Sequence, residues 1–281
     1  MNYTQSRKVL RENLGNIFRE VKVALTPVPR PERWLFLVGC YNSGTTLLSK
    51  MLGRHPGISA LPTEGHFITD QFVKDYEMGL PRMWTQREEL FRLTEKNTGP
   101  DPVRIKKEWG MRLDLSKPVL LEKSPSNSAR VRWLNHHFRP ACFIAIIRNG
   151  YAVAEGIRRK ADPKHLRDGW PIEMAAYQWK RTYEVLESDS VYLNRFLLIK
   201  YEDLVREPVN ELNRITDFIG IKPFSKFNDL MNVSIHERNE PIKDLNPYSI
   251  SRLTPEDINA VNNVAKDTLL RYGYNVIGGD S

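Results

Sequence analysis

Hydroxyl and amide groups follow one apolar run at the spacing of a phosphate-binding loop. Residues 36–52 read FLVGCYNSGTTLLSKML, and Gly39 and Gly44 stand as far apart as the two glycines of G-x-x-x-x-G-K-[ST]. Thr45 takes the place of the lysine of that loop. Glycines permit close backbone approach, and hydroxyls and amides at a helix N-terminus bind anions. The candidate contacts of such an anion are Tyr41, Asn42, Ser43, Gly44, Thr45 and Thr46.

The missing lysine narrows the class of group that the loop can hold. Enzymes that transfer a phosphoryl group from a nucleoside triphosphate place a lysine and Mg²⁺ on the β- and γ-phosphates. A sulfuryl group carries less negative charge than a terminal phosphoryl group. Hydroxyls, amides and one or two cations are then sufficient to hold it.

Two cations end other apolar runs of the chain. Lys123 ends PVLLEK, where it would emerge near the loop or pair with Glu122. Arg148 ends ACFIAIIR, and Asn149 can cap the helix that follows. A guanidinium beside a helix N-terminus suits an anionic group, so Arg148 is a candidate anion contact.

Two residues of the segment HPGISALPTEGHF are candidates for a general base. Glu64 offers a carboxylate and His66 an imidazole, and either group can take a proton from an acceptor. His55 and Pro56 in the same segment are better suited to shaping the loop. We predict no metal site, because metal-ligand spacing is absent among the remaining histidines, His136, His137, His165 and His236.

Short apolar runs alternate with helical patterns and would position all of these residues. The predicted strands are 33–40, 118–123, 141–148 and 195–201. The predicted helices are about 44–54, 126–137, 149–160, 171–189, 208–219 and 255–272. This alternation predicts an α/β fold, a single domain with a P-loop-like parallel sheet flanked by helices. Ligands of such sheets bind beyond the carboxyl ends of the strands, where the candidate residues lie.

The rest of the chain divides into an arm and insertions. Residues 1–30 combine an amphipathic helix with a proline-rich hinge, and 31–281 form the α/β domain. The arm is expected to pack on the domain, with a homodimer contact and membrane-surface docking as alternatives. Within the domain, about 66–112 reads as a helical insertion over the sheet. This segment and 162–174 are expected to wall the acceptor pocket.

The composition of the chain indicates the charge of its ligands and its cellular compartment. The 281 residues carry 42 Lys+Arg against 34 Asp+Glu, a net charge of +8 that suits anionic ligands without requiring nucleic acid. Cys40 and Cys142 lie in buried runs, which indicates free thiols in a reducing compartment. No run approaches the roughly 20 apolar residues of a membrane helix, and the N-terminus lacks a signal-peptide pattern. We therefore expect a cytoplasmic protein.

Four segments, taken in order, resemble one enzyme family. GCYNSGTTLLSKMLGRHPGI resembles the 5′-phosphosulfate loop of sulfotransferases that use 3′-phosphoadenosine 5′-phosphosulfate (PAPS). LLEKSPSN, AIIRNGYAVAEGIRRK and LLIKYEDLVREP resemble the family's later segments, over about 39–208, with a weaker echo in NEPIKDLNPYSISRLTPE. The tyrosylprotein and carbohydrate branch is the more similar one, because SGTTL is followed by HP.

The resemblance implies an activity and several roles. It implies transfer of a sulfuryl group from PAPS to a hydroxyl or amine of a small-molecule acceptor, with release of 3′,5′-ADP. Lys123 is implied to contact the sulfuryl group and the bridging oxygen, and Tyr201 the nucleotide. Arg148, in the segment that resembles the family's 3′-phosphate strand and helix, is implied to contact the 3′-phosphate. The tyrosylprotein branch uses a glutamate as the base, which favours Glu64, whereas the cytosolic branch uses a histidine, which keeps His66 open.

Two positions depart from the family pattern. Asn42 stands where the family has arginine or lysine, and Gly156 where it usually has serine. Lys123 alone would then supply the cation at the loop, or Lys243 or Arg252 would reach in. The candidates to replace the contact missing at position 156 are Arg158 and Arg159. These departures leave open a divergent P-loop kinase and a catalytically weak nucleotide-binding protein.

Overall fold

A parallel sheet forms the centre of the molecule. The computed structural model describes residues 15, 17–160, 170–225, 232–235 and 238–278. Five strands form the sheet in the order β2-β3-β1-β4-β5, and all of its neighbouring pairs are parallel. They are β1 (Arg33–Val38), β2 (Ile58–Ala60), β3 (Val119–Lys123), β4 (Ala141–Ile147) and β5 (Phe196–Lys200). A separate antiparallel hairpin contains β6 (Asn232–Ile235) and β7 (Arg238–Pro241).

Helices connect and cover the strands. The N-terminal helix α1 covers 17–25. The others are α2 (Thr45–Leu52), α3 (Glu88–Phe91), α4 (Pro102–Gly110), α5 (Val131–His137), α6 (Gly150–Arg159), α7 (Ile172–Ser190), α8 (Tyr201–Arg206), α9 (Pro208–Ile219), α10 (Asn246–Ile250) and α11 (Pro255–Arg271). None of the helices in the described ranges is long and apolar enough to cross a membrane.

The sheet is buried on both faces, as its continuous apolar strands require. Trp34 and Phe36 of β1 point into one core, which also contains side chains of α6, α7 and α11. Leu35 and Leu37 point into the second core, together with α2 and α9. The α/β class with a parallel sheet between helices is confirmed.

The predicted elements differ from the structure mainly in short segments. The strand β2 has only three residues, too few to give a pattern in the sequence. The predicted helix 126–137 is interrupted at Arg130, so that a 3₁₀ segment, Pro125–Ala129, precedes α5. The segment 66–112 contains α3, α4 and short 3₁₀ turns, and its Trp84 and Trp109 are buried in the core on one face of the sheet.

The N-terminal arm contacts the domain through charged side chains and through Val23, which is buried. Arg19 Nη2 donates to Glu108 Oε1 at 2.6 Å, and Arg104 Nη2 donates to Glu20 Oε1 at 2.7 Å. The apolar stripe of α1, which would face the domain in an ordinary packed arm, is largely exposed, with Phe18 at 71%. Residues 1–14 and 16, in the predicted N-terminal arm, lie outside the described residues, as do 161–169, which include most of the second predicted insertion, 162–174.

Candidate active site

The loop between β1 and α2 has the shape that its glycines make possible. Gly39 and Gly44 have φ angles of +138° and +99°, and Asn42 has a φ of 62°. A Cβ at Gly39 would lie 2.4 Å from the Ile146 carbonyl oxygen, so only glycine fits there. A Cβ at Gly44 would lie 2.7 Å from the Tyr201 ring. The loop is therefore pressed against β4 and the start of α8.

A buried tyrosine on α7 fixes the inner side of the loop. The Tyr183 hydroxyl donates to the Ile146 carbonyl at 2.8 Å and accepts from the Cys40 amide at 3.3 Å. Because its one proton is used, the Ser43 hydroxyl, 3.0 Å away, must donate to it. The Ser43 amide bonds the Cys40 carbonyl, so both polar groups of Ser43 hold the loop together. The groups left for an anion are the hydroxyls of Thr45 and Thr46 and the first amides of α2.

Three predicted residues meet where β3 ends beside the loop. Lys123 Nζ donates to Glu64 Oε1 at 2.7 Å and to Thr46 Oγ1 at 3.3 Å. The register of the sheet explains this position, because Lys123 pairs with Leu37 in the strand that leads into the loop. The Lys123 side chain is 12% exposed and that of Glu64 20%, so the ion pair is largely shielded from water. The structure thus links a cation, the loop and a candidate base.

His66 stands behind this ion pair in a buried network. Ser124 donates to Glu122 through a short hydrogen bond, so its oxygen accepts from His66 Nδ1 at 3.2 Å. The proton therefore lies on Nδ1, which is also 3.7 Å from Glu64 Oε2. Burial, aided by Arg130 and other cations, lowers the pKa of His66 to about 3. An imidazole with so low a pKa is a weak general base near neutral pH.

Glu122 anchors the same network from inside the sheet. Its Oε1 accepts from the Gly65 amide at 2.9 Å, and its Oε2 accepts from Asn127 Nδ2 at 2.6 Å. Burial raises the pKa of Glu122 to about 7 despite these hydrogen bonds. The carboxyl group holds Gly65 in place, and so fixes the backbone next to Glu64.

We expect Glu122→Gln to remove a pH dependence of stability. The pKa of Glu122 rises from an ordinary value of 4.5 to about 7 on folding, so the folded protein holds this proton more tightly than the unfolded chain. Stability is then lost as pH rises from about 4.5 to about 7, by an amount on the order of 3 kcal/mol. The glutamine is tolerated because Asn127 Oδ1 has no partner among the described residues and can accept from it after rotation.

Urea unfolding of both proteins between about pH 5 and pH 8 measures this difference. His66 acts in the opposite sense, since its lowered pKa removes stability as pH falls below 6.5. The quantity to compare is therefore the free energy of unfolding of the wild type minus that of Glu122→Gln at each pH. Parallel curves for the two proteins would contradict the assignment to Glu122.

Arg148 lies on the far side of the loop in a cluster of polar and aromatic groups. Its Nε donates to Asn246 Oδ1 at 2.7 Å, and its Nη1 donates to the Asn42 carbonyl at 3.0 Å. The guanidinium lies 4.4 Å from the centre of the Tyr201 ring. Arg148 Nη2 is buried and has no hydrogen-bond partner in the described part of the chain. Burial lowers the pKa of Arg148, and perturbed pKa values of this kind are common at functional sites.

The flanking groups support this position. The Asn149 side chain caps α6, as predicted, by accepting from the Tyr151 amide at 3.0 Å. Tyr201, only 3% exposed, donates through its hydroxyl to the Lys243 carbonyl at 3.1 Å and accepts from the Leu245 amide at 3.3 Å. The segment leading into α10 is thereby attached beside Arg148.

The arginines proposed as substitutes are already paired. Arg158 donates to both carboxylate oxygens of Asp257, at 2.7 and 2.9 Å. Arg159 and Arg252 both donate to Glu155 Oε1, at 2.8 and 2.9 Å. These contacts engage all three guanidinium groups with α6 and α11 rather than with the loop.

Several residues of the site were not found from the sequence. Glu122 could have been found, because an acidic residue inside an apolar strand indicates a buried, hydrogen-bonded carboxyl group. Ser124 and Tyr183 gave no such signal, because hydroxyl groups are common at strand ends and on helices. Arg130 is 1% exposed, with its guanidinium 4.2 Å from the centre of the Phe72 ring, and burial lowers its pKa to about 10.

The fold and the site define a group-transfer enzyme of the α/β class, with an anion loop and two cations at the carboxyl edge of a parallel sheet. A family model described as "Sulfotransferase family" matches residues 35–226, and the chain belongs to this family. The family membership decides against the divergent P-loop kinase. The tyrosylprotein and carbohydrate branch stays a prediction.

Solved structures show the same fold. The sulfotransferase domain of the Synechococcus PCC 7002 olefin synthase is 23% identical, with 84% of this chain and 96% of that chain covered and a TM-score of 0.52. The sulfotransferase domain from the curacin biosynthetic pathway is 20% identical, with coverages of 88% and 99% and a TM-score of 0.52. Sulfotransferase STF9 from Mycobacterium avium is 15% identical, with coverages of 94% and 82% and a TM-score of 0.59. No curated protein matches the chain.

Proposed function

We propose that this protein transfers a sulfuryl group from PAPS to a hydroxyl or amine of a small-molecule acceptor and releases 3′,5′-ADP. The observation that carries the proposal is the double contact of Lys123 Nζ, with Thr46 of the loop and with Glu64. It connects the anion site to a candidate base through one cation. Transfer of a sulfuryl group needs these three parts close together.

The donor fits groups of the described residues that can still donate a hydrogen bond. The first amides of α2 and the hydroxyls of Thr45 and Thr46 would hold the 5′-phosphosulfate. Arg148 Nη2, buried and unpartnered among the described residues, would hold the 3′-phosphate. The Tyr201 ring, stacked under the Arg148 guanidinium, would border the nucleotide.

The chemistry follows from the ion pair. The acceptor oxygen or nitrogen attacks sulfur, the bond between sulfur and the bridging oxygen of the 5′-phosphate breaks, and the acceptor proton passes to Glu64. Lys123 stabilises the charge that develops on the bridging oxygen, as a cation in a water-poor site does effectively. Its move from Glu64 to the donor would leave the carboxylate available to take the proton.

Aromatic rings beside the base support a small-molecule acceptor. The centre of the Phe67 ring lies 4.0 Å from the centre of the His66 ring and 5.6 Å from the centre of the Tyr76 ring. Phe67 and Tyr76 remain 48% and 44% exposed. Exposed rings next to a polar centre are typical of pockets for organic ligands.

Ligand-induced thermal stabilisation tests the donor class. We expect 3′,5′-ADP to stabilise the protein far more than 5′-AMP, ATP or Mg-ATP, by about 2.7 kcal/mol at 100 times its dissociation constant. Transfer of radioactive sulfate from labelled PAPS to a panel of phenols, alcohols and amines tests turnover. Tight binding of 3′,5′-ADP without any sulfated product would instead identify a catalytically weak nucleotide-binding protein.

We expect Arg148→Ala to weaken binding through the 3′-phosphate alone. Losing a charge-assisted hydrogen bond costs on the order of 1.5 to 3 kcal/mol, so the dissociation constant of 3′,5′-ADP should rise about 10- to 100-fold. Binding of 5′-AMP should change little, and calorimetry measures both. Arg158→Ala is the matched control, because that guanidinium pairs with Asp257 instead. Equal losses for both nucleotides would show that Arg148 does not contact the 3′-phosphate.

A further inference from the structure

The two positions that depart from the family pattern contact each other. A Cβ built on Gly156 would lie 3.2 Å from Asn42 Cβ, 3.2 Å from Asn42 Cγ and 3.5 Å from Asn42 Nδ2. The Asn42 side chain therefore fills the space next to α6 that a side chain at position 156 would occupy. With glycine there, the amide packs directly against the helix.

The Asn42 side-chain amide is a donor that has no acceptor in the described part of the chain. Asn42 Nδ2 is buried and has no hydrogen-bond partner within the described residues, and the same is true of Arg148 Nη2. A buried donor left unpaired is costly, so such groups call for an explanation. Arg148 Nη1 is bonded to the Asn42 carbonyl at 3.0 Å, so the two unpaired donors belong to residues that are in contact.

The position of Asn42 separates it from the reacting end of the loop. Lys123 contacts Thr46 and Glu64 at the end of β3, whereas Asn42 contacts Arg148 and Gly156. The left-handed backbone at Asn42, with a φ of 62°, favours asparagine or glycine. Position 42 therefore lies beside Arg148 and Gly156 and not beside Lys123, where the transfer would occur.

We infer that the Asn42 carboxamide is a ligand of the nucleotide's 3′-phosphate, beside Arg148. This inference rests on the proposed function, because it assumes a nucleotide that carries a 3′-phosphate. A side chain at position 156 would displace the amide, so Gly156 is the residue that makes room for it. The sequence alone placed Asn42 in the anion loop and offered Arg158 and Arg159 to replace the contact missing at Gly156.

Calorimetric titration of the full chain with 3′,5′-ADP and with 5′-AMP tests the inference. The main variant is Asn42→Gly, because glycine accepts the left-handed backbone and removes only the side chain. We expect the dissociation constant of 3′,5′-ADP to rise about tenfold and that of 5′-AMP to stay within about twofold. Asn42→Asp keeps the shape and adds a negative charge, so it should weaken 3′,5′-ADP more than Asn42→Gly does.

Double variants test the shared space. Gly156→Ala alone should weaken 3′,5′-ADP by displacing the amide, but should have no further effect in the Asn42→Gly background. Asn42→Gly combined with Gly156→Ser should recover most of the lost affinity, since a hydroxyl can donate from the vacated space. Gly156→Ala in the same background is the matched control without a donor. Simple addition of the single effects would show that the contact plays no part in binding.

The outcomes distinguish this inference from the proposed function. If the wild type shows no preference for 3′,5′-ADP over 5′-AMP, the proposed donor is wrong and the inference fails with it. If the wild type shows the preference and Asn42→Gly retains it, the inference alone fails. A loss that is equal for both nucleotides also overturns it, because Asn42 would then act only through the shape of the loop.

Discussion

Lys123→Met is expected to lower the turnover number by roughly 10³-fold, at the upper end of the loss seen when one stabilising donor is removed from a transition state. Methionine keeps the length of the side chain and removes its charge. Lys123 Nζ lies between Thr46 of the loop and Glu64, so it is placed to stabilise the negative charge that develops on the bridging oxygen. Affinity for 3′,5′-ADP should change by less than about tenfold, because this product carries no sulfuryl group.

Lys200→Met is a suitable control for this substitution. Lys200 also ends a parallel strand, β5, but its ammonium lies 5.1 Å from the centre of the Tyr274 ring. Turnover of this variant should remain near that of the wild type. Single-turnover measurement with labelled PAPS separates the chemical step from product release. A Lys123→Met enzyme whose chemical step stays within tenfold of the wild type would contradict the role of Lys123.

The sequence predicted the parts of the site that depend on the parallel sheet. Lys123 and Arg148 end strands next to β1, and the register of a parallel sheet brings such ends to one edge. The order of the strands could not be predicted. The fold class alone, however, predicts that the carboxyl ends of parallel strands lie at one edge of the sheet. The cap formed by Asn149 followed from local chemistry, which depends on few residues.

Contacts made by side chains distant in sequence could not be predicted. The hold of Tyr183 on the loop depends on how α7 packs against β4, and nothing near Tyr183 in the sequence indicates it. The contact between Asn42 and Gly156 is of the same kind, since each residue considered alone is only a departure from the family pattern. The structure shows that the two departures occupy one place.

The exposed face of α1 shows a limit of hydrophobic periodicity. The spacing of apolar residues predicts a helix correctly over 17–25, but it does not say which face contacts the domain. Here the ion pairs of Arg19 with Glu108 and of Glu20 with Arg104 position the helix. The apolar residues Ile17, Phe18, Val21 and Leu25 remain exposed. The homodimer contact stays a prediction.

The choice between Glu64 and His66 as the base is sharper in the structure than in the sequence. A general base must be unprotonated near neutral pH and must also be basic enough to take a proton there. His66 meets the first condition only, because burial lowers its pKa to about 3. Its Nδ1 proton is also committed to Ser124. Glu64 is the more exposed of the two and contacts Lys123 directly, so its carboxylate would become available when Lys123 moves to the donor.

Glu64→Gln is accordingly expected to lower the turnover number by about 10²- to 10⁴-fold, the contribution typical of a general base. Glutamine keeps the size of the side chain but cannot take the acceptor proton. Donor affinity, measured with 3′,5′-ADP, should be nearly unchanged. The acidic limb of the pH–rate profile should disappear, because this limb reports protonation of the essential base.

His66→Asn is the matched variant, since asparagine can still donate to Ser124 while removing the imidazole. We expect it to slow turnover far less than Glu64→Gln, because the imidazole keeps a pKa of about 3 and takes no part in proton transfer near neutral pH. The acidic limb should persist in this variant. Near-normal turnover of Glu64→Gln beside a slow His66→Asn would move the role of base to His66. The acceptor proton would then have to reach the buried Nε2 of His66, which has no hydrogen-bond partner among the described residues.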